Sequence, residues 1–388
     1  MNKTTNFNYN INWYLPVFMI LAQYIILKSF SLGLIILLFF CFVYFISYKR
    51  ILINKWIFYF IVSCMFSQIF IHKSFFGILT FIVILIAMSL LNDKINEDQL
   101  LKYWKVFGTI AIIGLVYQSI LTYIFKLPVS PIKIIPLESA EANLNWAMDL
   151  LRPSSFFAEP QAFATFMMPF LFLTLKKNQY GWSIFITFAV LLSTSSQGII
   201  MMVILWLGFL IFTDISNRYK FIIFFTFITF IALYLYLPFF EISRAKLFQT
   251  EILGNPRLSR GFEIFFHLSN KEKLLGIGYG NVGDYVYNIR DSFIWGIGNS
   301  REKLNYTSGF SGLMVQFGLM NTFLFLFIFV KIWRDSLKIN RTFLILILAA
   351  SFSQNILLNA WFIYLFLFYL GISYRPEKIN YLTLKFHF

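Results

Sequence analysis

The sequence predicts an all-α fold of the polytopic membrane type, with about twelve transmembrane helices and two long extracytoplasmic loops containing short helices. Three observations lead there. Of 388 residues, 59% are apolar, 13% are charged and 51 are phenylalanine, a balance that excludes a water-soluble fold. A hydrocarbon core demands about 20 apolar residues per spanning helix, and roughly twelve runs of near that length occupy well over half of the chain. Finally, the loops between the runs alternate between rich and poor in Lys and Arg.

Residues 1–125 form an N-terminal five-helix membrane region, with apolar runs near 13–27, 29–47, 51–71, 75–91 and 106–125. The first two meet at Lys28 so tightly that they resemble a helical hairpin, and no small-residue cleavage site follows the first, so it reads as a retained helix. Residues 126–155 form the first long loop. Central spans follow within 156–240, near 156–175, 180–194, 197–213 and 221–240. The second long loop covers 241–311, and 312–388 holds spans near 312–330, 342–353 and 355–373 with a terminal tail. The short final two read as a broken pair.

The formal charge of +15 would suggest nucleic acid as the partner of a soluble protein, but here topology accounts for it and no nucleic-acid partner is implied. One set of segments carries Lys49 and Arg50, Lys94 to Lys105, Lys176 and Lys177, Arg218 and Lys220, Lys331 to Arg341, and Arg375 with Lys378. The opposite short loops are nearly devoid of cations. By the positive-inside rule both termini lie in the cytoplasm and both long loops outside, so function faces outward. Cys41 and Cys64, each inside an apolar run, suit neither a metal-binding pair nor a disulfide framework and read as packing residues.

Several constellations could carry chemistry. The first long loop ends in Arg152-Pro153-Ser-Ser-Phe-Phe-Ala-Glu159-Pro160-Gln161, placing an arginine at a membrane surface and a carboxylate at the hydrocarbon edge. A carboxylate there is costly, which marks Glu159 as a proton-exchanging group. The alternative is a helix cap, because Pro160 suits a first helical position and disfavours a helical residue before it. Arg152 has its own alternative as a residue snorkelling to headgroups. In the second long loop, Asn255-Pro256-Arg257-Leu-Ser-Arg260-Gly-Phe-Glu263-Ile-Phe-Phe-His267 reads as a helix start. Spacing by three puts Arg257 and Arg260 on one face, with Glu263 and His267 continuing near it. Two cations in a first turn oppose the helix dipole, an arrangement that suits a bound anion or a solvated basic face.

Further on, Gly276-Ile-Gly278-Tyr-Gly280-Asn281-Val-Gly283 contains a literal GxGxxG. The fingerprint has meaning only between a strand and a helix, and neither flank supplies one, so it reads as a sharp turn over a membrane cavity. Last, Thr307-Ser308-Gly-Phe-Ser311-Gly312 opens a span that also carries Gln316 and Gly318. Small residues there allow close helix approach or ligand access.

In this order, with the turn Thr194-Ser195-Ser196-Gln197-Gly198 between them, these pieces resemble the O-antigen polymerase and ligase superfamily of bacterial polysaccharide assembly, over roughly residues 145–330. The ligase branch carries a His near Thr307 or Ser308, and many members carry Arg where Gln197 stands. Those departures favour the repeat-unit polymerases over ligation. The resemblance implies an enzyme of the bacterial cytoplasmic membrane that joins oligosaccharide repeats held on undecaprenyl diphosphate, as donor and acceptor, at the outer face. It implies no metal and no nucleotide cofactor, and a chain-length regulator as a further partner. Arg152, Arg257 and Arg260 would clamp diphosphate; Glu159, with His267 behind it, would act as base. Gln161, Gly278, Gly280, Asn281, Ser308 and Gln316 would line the substrate path. A glycolipid flippase is the competing class, for which internal repeats and deep ionisable residues are expected. A non-enzymatic scaffold gives no reason for clustered arginines.

Overall fold

The computed structural model describes residues 11–27, 30–71, 87, 91, 94–135, 152–241, 244, 256–304, 307–353, 360–373 and 381–385. The N-terminal helices are α1 (Ile11–Leu21), α2 (Leu32–Tyr48) and α3 (Lys55–Ile71), followed by α4 (Glu97–Ser119), which runs on as a π-helical turn to Ile124. The central helices are α5 (Pro160–Lys176), α6 (Tyr180–Leu192), α7 (Ser196–Phe212) and α8 (Asn217–Tyr236). Three short helices, α9 (Pro256–His267), α10 (Asn270–Leu275) and α11 (Val282–Asn288), precede α12 (Gly309–Asp335), α13 (Lys338–Ser353) and α14 (Ala360–Ser373).

The all-α expectation holds, with two small antiparallel ribbons added. Strand β1 (Ile25–Leu27) pairs with β2 (Phe30–Ser31) between α1 and α2. Strand β3 (Arg50–Asn54) pairs with β4 (Tyr381–Lys385), tying the terminal tail to the loop between α2 and α3. Of the expected spans, the described residues support a smaller number on length and composition. Among the described residues, three helical stretches are long and apolar enough to cross a bilayer: Glu97–Ile124, Asn217–Tyr236 and Gly309–Asp335. The other apolar helices among the described residues are shorter, at 10–17 residues. Ser31 caps α2 by accepting from Leu34 N, and Ser195 caps α7 by accepting from Gly198 N. The span expected at 75–91 and most of the first long loop lie outside the described residues.

One apolar core joins the long helices. Trp104 of α4 is fully buried against Phe166 and Phe170 of α5 and Tyr364 of α14. The Tyr364 hydroxyl donates to Phe166 O at 2.9 Å. Cys41 and Cys64 are buried and unpaired in this core, as their apolar surroundings predict.

The described helices run between two ends, and each end gathers its own loops. At one, Lys176 pairs with Glu97 at 2.5 Å, Lys177 pairs with Asp98 at 2.8 Å, and Asn340 joins Lys176 to Ser373. Asn12, early in α1, reaches this end by accepting from Asn96 N. The Lys- and Arg-rich loops that alternate along the sequence therefore converge. At the opposite end lie the segments before α5 and α7, the start of α12 and a lobe built from 256–304.

That lobe lies within the second long loop, 241–311, which was expected to contain short helices. It has a core of its own, in which Ile264, Phe265, Leu268, Ile277, Val282, Val286, Phe293 and Leu304 pack with Val315 of α12. The helix expected from Asn255 onward is α9, and its apolar residues form one side of this core.

Candidate functional site

Arg152 and Glu159 belong to a turn that three helices hold in place. Gln118, buried near the end of α4, accepts from Ser154 N at 2.9 Å and Ser155 N at 2.6 Å through Oε1. Its Nε2 donates to Ser130 O at 2.8 Å and Ser155 O at 3.2 Å. The Ser155 hydroxyl donates to Ala111 O, and Gln23, just past α1, accepts from Ala158 N and donates to Phe156 O. Ser155 is fully buried with φ 58°, a conformation that non-glycine residues adopt only when surroundings dictate it. Phe157, also buried, plugs the turn into the core against Phe163 and Phe166.

On this turn the half-buried Arg152 donates to Thr194 O at 2.9 Å and Thr194 Oγ1 at 3.4 Å. Thr194, itself at φ 52°, lies in the turn before α7 and also hydrogen-bonds Tyr123. Arg152 is thus oriented by the protein and does not merely snorkel. Glu159 is the extended residue before α5 and Pro160 its first residue, as the Glu-Pro order predicts. Its side chain makes no capping hydrogen bond, so the residue caps by position and not through its carboxylate. Gln161 follows in the first turn, half-buried, its carbonyl accepting from Thr165.

Of the row predicted on α9, the side chains of Arg260, Glu263 and His267 are described, and their neighbours were not foreseen. The Arg260 guanidinium lies 4.7 Å from the Trp295 ring centre, and Trp295 Nε1 donates to Glu263 Oε2 at 2.7 Å. His267, exposed at the end of α9, meets the edge of Phe293, whose ring lies 5.0 Å from Trp295. Arg260, Glu263 and His267 therefore border one aromatic strip, with Arg260 and His267 about 10 Å apart along the helix by rise alone. Arg257 occupies the first turn, and its side chain lies outside the described residues.

Gly261 sets this helix on the bundle. A Cβ there would stand 2.0 Å from Ser311 Oγ and 3.5 Å from Thr307 Cβ, so α9 touches the entry of α12 with no side chain between. Ser308 closes that entry as a capping box with Ser311. The small residues at 307–312 thus serve close approach.

The Gly-rich run has helices on both sides, α10 before and α11 after, and no strand, so the literal GxGxxG lacks its fingerprint context. The Tyr-rich stretch after it is helical, contrary to expectation. The run packs against a break in α12. Gly318 has φ 75° and ψ 177°, and Val315 O and Gln316 O accept instead from Ile277 N and Gly278 N, each at 3.0 Å. Two glutamines hold the next donors: Gln68 of α3 accepts from Tyr279 N at 2.7 Å, and Gln316 accepts from Gly280 N at 2.8 Å. Asn281 closes the turn by donating to Ile277 O. Burial pushes the Tyr279 phenol up to about 12, so it stays a neutral donor at physiological pH.

Four buried side-chain polar atoms among the described residues at this end have no hydrogen-bond partner: Gln68 Nε2, Thr122 Oγ1, Gln197 Nε2 and Thr307 Oγ1. The sequence alone did not single out Gln118, Gln68, Gln23 or Trp295, and it marked Thr194 only as part of a turn. The first two had a signal, a carboxamide inside an apolar run, which lipid alone does not favour. Among the described residues no cluster of three or more His, Cys, Asp or Glu could hold a metal ion.

Fold and site together define an all-α protein with helices of membrane-crossing length and a polar end that carries oriented arginines. No protein-family model and no curated protein sequence matches the chain.

Proposed function

We propose that the chain is a polysaccharide polymerase of the bacterial cytoplasmic membrane, joining oligosaccharide repeats carried on undecaprenyl diphosphate at the outer face. The observation that carries this reading is the pinned turn. One rigid segment presents a guanidinium oriented by Thr194 and, seven residues on, a carboxylate unused by the helix it precedes. The ordered motifs over residues 145–330, and the gathering of the basic loops at the far end, support the same reading and its outward orientation.

In the proposed reaction an acceptor sugar hydroxyl forms a bond to the anomeric carbon of the donor. The bond from that carbon to the phosphate oxygen breaks, and lipid diphosphate leaves with the electron pair. Glu159 takes the hydroxyl proton and passes it to solvent. Arg152 and Arg260, with Arg257 three residues before Arg260, stabilise the charge growing on diphosphate, each by about 2–4 kcal/mol if they act as oxyanion donors do. A base adds roughly 10²- to 10⁴-fold. Gln161, Asn281, Ser308 and Gln316 belong to the substrate path in this reading, and a chain-length regulator would be a separate partner.

The test uses purified full-length protein and the lipid-linked repeat extracted from the source cell. Longer lipid-linked chains and free undecaprenyl diphosphate are expected without ATP or divalent metal. Single repeats alone, from protein verified as folded, would overturn the assignment and favour transport.

A further inference from the structure

Between α3 and α12 runs a seam of polar side chains in otherwise apolar surroundings. Asn321 is fully matched: its Oδ1 accepts from Ser63 Oγ at 2.6 Å, and its Nδ2 donates to Ser67 Oγ at 2.7 Å and to Phe317 O at 2.8 Å. Such matching is what a helix-binding contact in lipid requires. Gln68, one residue beyond Ser67, departs from it. Its Oε1 accepts from Tyr279 N, and because a backbone N–H needs an acceptor this fixes which end of the carboxamide is which. The amide nitrogen then points elsewhere, in a residue 1% exposed, and finds no partner.

Two unsatisfied N–H donors cost about 1–3 kcal/mol, and an apolar side chain of similar length would avoid that. The position is also particular. Gln68 lies beneath the Gly-rich loop, beside the Gly318 break, at the end of the bundle that carries Arg152 and the lobe. The geometry points to Gln68 Nε2 as a substrate-recognition donor, taking an oxygen of the bound glycolipid that enters below the Gly-rich loop. The inference rests on the glycolipid-polymerase reading and adds to it a residue on α3, outside the region of resemblance. That oxygen belongs either to a phosphate or to a sugar hydroxyl.

Two substitutions separate the sources. Gln68→Glu keeps an acceptor for Tyr279 N and removes the amide donor, whereas Gln68→Met removes both without adding charge. Binding of the native lipid-linked repeat, and of undecaprenyl diphosphate alone, is measured on full-length protein in nanodiscs alongside the melting temperature. Both variants should bind the repeat about tenfold more weakly while melting near the unsubstituted protein. A phosphate oxygen predicts that Glu is worse than Met and that undecaprenyl diphosphate shows the same loss. A hydroxyl predicts that Glu is better than Met, since it can donate to the acid, with binding of undecaprenyl diphosphate alone unchanged. Repeat binding within twofold of the unsubstituted protein in either folded variant overturns the inference and leaves the polymerase reading standing. If the unsubstituted protein binds neither probe, the polymerase reading fails and takes the inference with it. Should both variants misfold, a structure of the unsubstituted protein with the repeat bound decides the point: no ligand oxygen within hydrogen-bonding distance of Gln68 Nε2 refutes it.

Discussion

The turn from Arg152 to Glu159 and the loop from Gly276 to Asn281 lie at the same end of the molecule and are held there by opposite means. Side chains fix the turn: Gln118 and Gln23 reach its backbone from other elements, and its own Ser155 hydroxyl donates to Ala111 O of α4. The loop is fixed mainly by the absence of side chains, since glycines let its backbone hydrogen-bond directly to a broken helix. The first construction can be weakened gradually, one hydrogen bond at a time. The second tolerates little at Gly276 and at Gly318 opposite it, because a Cβ has no room to move when its neighbour is backbone.

The largest expected effect tests the second construction. A Cβ at Gly318 would stand 2.2 Å from Leu274 O, and φ 75° is strained for any L side chain. Gly318→Ala should cost about 4 kcal/mol, summing left-handed strain and overpacking, and detach the lobe. Limited proteolysis within 256–304 reads it out. Gly280 has a similar φ of 79°, but a Cβ there meets nothing within 4 Å. Gly280→Ala should therefore cost only about 1 kcal/mol, for strain alone. Equal sensitivity at the two glycines would break the backbone-docking account.

Next comes the pin of the turn. Gln118→Leu strands the amide donors of Ser154 and Ser155 and the Ser130 carbonyl, while Ser155 O keeps Ile132 N, and should lower stability by about 3 kcal/mol in thermal unfolding. Gln118→Glu keeps the acceptor for Ser154 and Ser155 and should recover part of that loss. A Leu variant as stable as the parent would show that the turn is held by packing of Phe157 alone.

Glu159→Gln distinguishes base from cap. Because the carboxylate makes no capping bond, stability should change by less than about 0.5 kcal/mol, while polymerisation slows about 10²-fold or more. Activity within a few-fold of the parent removes the catalytic role and leaves His267 or a substrate-assisted path. The smallest effect is expected for Arg152→Lys, which keeps the charge but lacks the planar fork that holds Thr194 and grips phosphate. About tenfold less polymer on a glycan gel is the expected result, with insertion unchanged. A wild-type ladder would reduce Arg152 to a plain cation.

Much of this end was legible in the chain. Pro160 after Glu159 marked the start of α5, and Asn255-Pro256 marked the start of α9. The spacing of Arg260, Glu263 and His267 placed them along one strip, because helical periodicity is local. Helix ends were less legible, since hydropathy marks apolar runs but not where a serine cap or a ribbon bounds a helix. Nor could spacing show that 256–304 carries a core of its own, since its apolar residues resemble those of any amphipathic loop.

What the sequence by itself determined was class and polarity: apolar runs that need lipid or each other, and short loops that alternate between rich and poor in cations. Hydrophobicity and charge act residue by residue, so composition and order are enough to state them. The tertiary structure alone decided partners. Gln118 and Ser155 are 37 residues apart and Gln68 and Tyr279 are 211 apart, yet each pair shares a buried hydrogen bond. A hydrogen bond depends on distance and direction in space, which no local pattern encodes, and buried carboxamides declare their purpose only once the groups that satisfy them are known.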